Sequence, residues 1–171
     1  MSSPETMILD TNVFIEAKNR FYAFDICPGF WEFIEDDFMN RRSLSVRQVR
    51  DELLFGDDDL SEWVKTTLNK AYFHDCLADE KVSEAQLRVY EFVSNADYKP
   101  NAVQDFFGDT VADSWLAAFA LTYGGTVVTQ EVHKARKVSL YDVCDHFGIH
   151  HIDVFDYLRA QQARFYYRKS A

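Results

Sequence analysis

Residues Met7 to Ala17 read MILDTNVFIEA: a short apolar run that ends abruptly on an aspartate and passes at once into a helical pattern. An apolar run of this length bounded by a polar residue is the signature of a strand buried on both faces. Such a strand delivers Asp10 to its carboxyl end, the edge at which open α/β sheets build their sites. Asp10, Thr11 and Asn12 are all suited to capping the N–H groups of a helix that follows, expected over Asn12 to Arg20. One carboxylate is not an active site, so the reading depends on what later segments bring to the same edge.

Three further segments carry candidates. Leu44 to Val46 forms a second apolar run, and Ser45 is placed to cap the helix RQVRDELLF, which turns Val49 and Leu53 inward and carries Glu52 beside that face. The stretch ADSWLAAFALTYGG, Ala112 to Gly125, has small residues that allow close helix packing, Asp113 at its start and two glycines that stop it. The β-branched run Val127 to Thr129 follows, and Gln130 and Glu131 sit at its end, so a second strand delivers an acidic residue much as the first delivers Asp10. Each has a plain structural reading: Glu52 as a solvated flank, Asp113 as a first-turn residue favoured by the helix dipole. The cluster His133, Lys134, Arg136 and Lys137 is a solvated loop on its own and a phosphate-holding loop beside a carboxylate site.

Elsewhere the pattern alternates strands and helices. Pro28 and Gly29 turn the chain into an amphipathic helix with Phe30, Phe33, Ile34 and Phe38 on one face. Asp57 to Asp59 cap the helix LSEWVKTTLNKA, and they lack the alternating oxygen ligands and closing glutamate of a calcium loop. Tyr72 to Leu77 is an edge strand or linker, and helices are expected over Val82 to Val93 and Ala102 to Phe107. Ser139 caps another that Gly148 stops. Ile149 to Ile152 is the last strand, and Asp153 caps a final helix VFDYLRAQQARF. The expectation is a single domain over residues 1–171, a three-layer α/β fold with a mainly parallel sheet.

Composition narrows the function. The 171 residues are 47% hydrophobic and 16% aromatic, enough for a core without staples. Cys27, Cys76 and Cys144 are odd in number and form no CxxC pair, which argues for reduced thiols. The opening MSSPET is unlike a signal peptide, and no run approaches the roughly 18 apolar residues of a membrane span, so a cytoplasmic protein is expected. A formal charge of −10 disfavours broad coating of duplex DNA but leaves room for a local basic contact. A glycine-rich phosphate loop and a nucleophile elbow around Ser114 are lacking, and Gly148 interrupts the His146 and His150 spacing that zinc would need.

The order DTN after the first apolar run, the acidic residue in RQVRDEL, then ADSWLAA and VVTQE, resembles the PIN-domain ribonucleases, which include the VapC-like toxins. FIEAKNRFYAFDICPGFW and DVCDHFGIHHIDVFDYLRAQQARF are similar to a PIN-like branch of bacterial and archaeal proteins, so the likeness covers nearly the whole chain. The resemblance implies a PIN-like domain that hydrolyses RNA with metal-activated water. It implies Asp10, Glu52, Asp113 and Glu131 as the catalytic and metal-holding carboxylates, Mg²⁺ or Mn²⁺ as the cofactor, and Asn12 and Thr129 as supporting residues. Glu131 departs from the aspartate common at that place, and its longer side chain after Gln130 suits contact through water. Lys134, Arg136 and Lys137 are the candidate contacts to RNA phosphates. A cognate antitoxin and a homodimer are the implied partners. A regulatory metal- or nucleic-acid-binding protein with little turnover, and a structure-specific DNA nuclease, are the alternatives.

Overall fold

The structure, a computed structural model, describes residues 5–170; the first four residues of MSSPET lie outside the described residues. Five strands form the sheet: β1 (Met7–Leu9), β2 (Ser43–Val46), β3 (Phe73–His74), β4 (Thr126–Val128) and β5 (His151–Ile152). Their order is β3-β2-β1-β4-β5 and every pairing is parallel. β1 is thus the central strand, with Ile8 opposite Leu44 on one side and Val127 on the other. Met7, Ile8 and Leu9 are all buried, as a strand covered by helices on both faces requires.

Nine α-helices flank the sheet among the described residues: α1 (Thr11–Glu16), α2 (Pro28–Met39), α3 (Arg47–Phe55), α4 (Asp59–Thr67), α5 (Glu80–Asn95), α6 (Pro100–Phe106), α7 (Asp113–Tyr123), α8 (Leu140–Phe147) and α9 (Val154–Ala160). Steps from β1 to β2 to β3 run in one direction, and those from β3 to β4 to β5 in the other. Right-handed crossovers therefore put α1 to α4 on one face and α5 to α8 on the other. The packing agrees, since α7 touches α5, α8, β2 and β4, whereas α3 touches α1 and α4. No helix of the described residues is long and apolar enough to cross a membrane.

The local details depart from expectation in instructive ways. α1 continues past Glu16 as a wider π turn over Ala17–Phe21. Pro28 and Gly29 are the first turn of α2 and not a turn before it, because proline at a first helical position forfeits only an N–H that has no partner there. Phe30, Ile34 and Phe38 are fully buried along one face and Phe33 is half-buried beside them. Ser45 does not cap α3: Val46 occupies the N-cap position, and the Ser45 hydroxyl donates instead to the Leu9 carbonyl at 2.5 Å, pinning β2 to β1. α9 ends at Ala160, well short of Phe165, because Gln162 takes a left-handed conformation (φ 58°) and the Ala163 N–H turns back to the Leu158 carbonyl.

A candidate acidic active site at the switch point

In a sheet ordered β3-β2-β1-β4-β5, the chain leaves β1 to one side and later returns on the other. The crevice beyond the carboxyl ends of β1 and β4 is therefore the topological switch point. Leu9 pairs with Val128, so the next residues, Asp10 and Thr129, meet there. The Asp10 N–H donates to the Val128 carbonyl at 3.0 Å, extending the ladder by one step. Its side chain is only 2% exposed. One carboxylate oxygen accepts from the Thr11 N–H at 2.6 Å, capping α1, and the other accepts from the Thr129 hydroxyl at 2.7 Å.

Thr129 is the hub. Its hydroxyl gives its one proton to Asp10 and accepts from Asn12 Nδ2 at 3.2 Å and from the Glu131 N–H at 3.1 Å. Asn12 also accepts from the Gln130 N–H at 2.9 Å, so the two supporting residues named from the sequence fix the loop after β4 to the start of α1. Gln130 in turn accepts from the Val154 N–H at 2.9 Å and ties the same loop to α9.

The other carboxylates arrive from separate elements. Glu52, on α3, accepts from the Ala112 N–H at 2.8 Å and from the Thr11 hydroxyl, so it bridges the entry of α7 to the first residue of α1. Asp113 opens α7 and is half-buried. Glu131 accepts from the Leu140 N–H at 2.8 Å at the start of α8, and Lys134 lies 3.7 Å from its other oxygen. Lys137 and Asp113 line a small cleft of about 130 Å³ with Phe106 and Val138, whereas Arg136 sits on an exposed turn with φ 70°.

Asp10 and Asp113 both feel the charges of Glu52 and Glu131. Burial pushes the Asp10 carboxyl up to about 7, with the charges of Glu131 and Glu52 adding to the rise and the Thr129 hydrogen bond opposing it. Asp113 is raised well above the ordinary carboxylate range, first by burial and then by the charges of Asp10, Glu131 and Glu52; Lys134 opposes this. Burial raises Glu52 too. Buried carboxylates that repel one another either hold a proton or recruit a cation. Their hard oxygens suit Mg²⁺ or Mn²⁺.

Among the described residues, no three His, Cys, Asp or Glu side chains converge into a cage for an ion. Glu52 and Glu131 are each held by a backbone N–H of a neighbouring helix. Asp113 has no hydrogen bond to a described side chain, and Asp10 keeps lone pairs free.

Sequence reasoning missed the role of Thr11, read only as a cap, and the cleft beside Glu52. That cleft, about 400 Å³, is lined by Gln48, Asp51, Phe55, Asp109 and Thr110. The Asp109–Thr110 turn carried no signal beyond the glycine before it. His146, set aside as a metal ligand, stacks on Phe92 with ring centroids 3.5 Å apart. Cys76 and Cys144 are buried thiols pushed up to about 12 by burial, and Cys27 is half-buried; all three are free.

No curated protein and no solved structure matches the chain. Residues 7–165 match the family described as a domain of unknown function (DUF4411), a span that includes all five strands and all four acidic positions, and the chain belongs to that family.

Proposed function

We propose that this chain is a metal-dependent endoribonuclease of the PIN type, the toxin component of a toxin–antitoxin pair. The observation that carries the reading is that Asp10 and Asp113, buried at the switch point, are both raised by the charges of Glu52 and Glu131, with Lys134 as the cation beside Glu131. The likeness of DTN, RQVRDEL, ADSWLAA and VVTQE to PIN ribonucleases supplies the reaction class.

Mg²⁺ or Mn²⁺, when bound, would supply positive charge to the carboxylates and the phosphate and would lower the pKa of water. Asp10 and Asp113 would be its main ligands, with Glu131 in a supporting place. Glu52, raised by burial, would accept a proton at the oxygen it shares with the Thr11 hydroxyl. Thr129 and Asn12 hold the Asp10 carboxylate in one orientation, so little reorganisation is needed when substrate binds. Lys134, Arg136 and Lys137 meet phosphates flanking the scissile bond.

Purified protein is expected to cut single-stranded RNA with Mg²⁺ or Mn²⁺ and to stop in EDTA. Asp10→Asn and Asp113→Asn each lower cutting at least a hundredfold while the circular dichroism spectrum stays unchanged. Cutting retained in EDTA, or by both variants, overturns the nuclease reading. Induced expression of wild type against Asp10→Asn, with new RNA ends mapped, tests the toxin reading, which fails if growth and RNA ends are unaffected. The incomplete cage favours a second reading, a metal- and nucleic-acid-binding regulator with little turnover. A calorimetric Mn²⁺ titration that shows binding in a protein unable to cut RNA selects it.

A further inference from the structure

The chain beyond α9 carries a second feature, remote in sequence from the acidic residues. Arg164 to Lys169 reads RFYYRK, three cations and three aromatics in six residues of a chain whose formal charge is −10. The left-handed turn at Gln162 redirects this segment, and Phe165 anchors it. The Phe165 ring packs against Tyr22, Phe30 and Phe33, with centroids 5.7, 6.2 and 6.5 Å away. A Cβ added to Gly29 would stand 3.4 Å from that ring, so the ring lies directly against the first turn of α2.

Anchoring Phe165 leaves its neighbours outside. Tyr166 is 81% exposed and Tyr167 is 89% exposed, which no packing demand of this fold explains. Arg164, Arg168 and Lys169 form no ion pair with a described residue. Between the segment and the start of α2 lies a groove of about 690 Å³ whose charged lining is Arg164 and Arg168 against Glu32. Exposed aromatic rings interleaved with free cations are the composition that binds single strands, since bases stack on the rings while the cations meet phosphates. A folded acidic partner would use the cations but would leave the two tyrosines without apolar cover.

We infer that residues 164–169 form a stacking platform for single-stranded nucleic acid, Tyr166 and Tyr167 receiving bases and Arg164, Arg168 and Lys169 receiving phosphates. The platform borrows from the nuclease reading only the presence of a nucleic acid, and it binds whether or not the acidic crevice cuts.

The test is fluorescence anisotropy of a fluorescein-labelled 20-nucleotide oligo(U) RNA with full-length protein in EDTA, where binding is read without cleavage. Tyr166→Ala with Tyr167→Ala weakens binding roughly ten- to a hundredfold, the loss of one or two stacked bases. Phenylalanine at both positions keeps it within about twofold, because the ring faces remain. Glutamine at the three basic positions reduces the salt slope of log affinity by about 2, at roughly 0.7 per single-strand phosphate. Wild-type affinity in the double alanine variant overturns the proposal, as does a wild type that fails to bind oligo(U). So does a tail variant that loses only self-association in sedimentation or only a protein partner. Tail-dependent binding by a protein that never cuts RNA keeps the platform and removes the nuclease, whereas cutting with tail-independent binding does the reverse.

Discussion

The Thr129 hydroxyl has no capacity to spare: its one proton goes to Asp10, and its two lone pairs accept from Asn12 and from the Glu131 N–H. Valine fills the same volume and satisfies none of the three. Thr129→Val is expected to cost about 2–3 kcal/mol in urea denaturation, through donors left unpaired in a buried site, while Thr129→Ser stays within about 1 kcal/mol. Asp10 sets a second expectation. Its folded pKa of about 7 lies above the ordinary aspartate value of 3.8, so the native state binds this proton more tightly than the unfolded chain. Stability of the metal-free protein therefore falls as pH rises through that window and levels off above it. Urea midpoints measured from pH 5 to pH 8 should decline for wild type and decline less steeply for Asp10→Asn, where Asp113 and Glu52 still carry raised carboxyls, and added Mg²⁺ should restore the high-pH value. Residues that end a strand or open a helix, such as Asp10 and Asp113, were legible in sequence because periodicity locates those boundaries. The Thr11 to Glu52 hydrogen bond was not, since it joins two positions 41 residues apart that no local pattern relates.

At the scale of elements, two glycines that look alike in sequence do different work. Gly125 and Gly148 each follow a helix and each has positive φ, 104° and 65°. A Cβ on Gly125 would stand 2.8 Å from the Thr6 carbonyl oxygen and 3.0 Å from Ile8 Cδ1, whereas one on Gly148 meets nothing within 4 Å. Gly148→Ala is expected to cost about 1–2 kcal/mol for the left-handed backbone alone. Gly125→Ala adds a clash with the entry to the central strand and should cost at least about 3 kcal/mol, read from the same denaturation curves. Both glycines were legible as helix stops; the close approach of β1 at Gly125 was not, because it depends on β4 lying beside β1. Ser45 teaches the same lesson. A serine just before a helix is a fair cap by local rules, but its hydroxyl was taken by Leu9 across the sheet.

Across the whole molecule, Asp37 joins distant parts of the chain. It is fully buried and accepts from Arg42 Nε at 2.7 Å, from the Tyr157 hydroxyl at 2.7 Å and from Ser43, tying α2, β2 and α9 together. Arg42→Met removes the only cation paired with this carboxylate among the described residues; because the guanidinium is 39% exposed and two hydroxyls still donate to Asp37, it should cost about 1–3 kcal/mol. Tyr157→Phe removes one bond of three and should cost about 1–2 kcal/mol, both measured by thermal melts. No local pattern in the sequence marks Asp37, because its partner at 157 lies 120 residues away. The parallel sheet was legible from alternating apolar runs and helices; the strand order was not, and the order is what brings β1 beside β4. That order also sets a timetable for synthesis. The central strand leaves the ribosome first, at residues 7–9, but one of its two neighbours, β4, is not made until residues 126–128. Until Glu131 has cleared the exit tunnel, the nascent chain holds Asp10 and Glu52 without the segments that complete the crevice. A partly made chain therefore emerges beside ribosomal RNA with its acidic residues still scattered, and assembly waits on the synthesis of β4 and the loop after it.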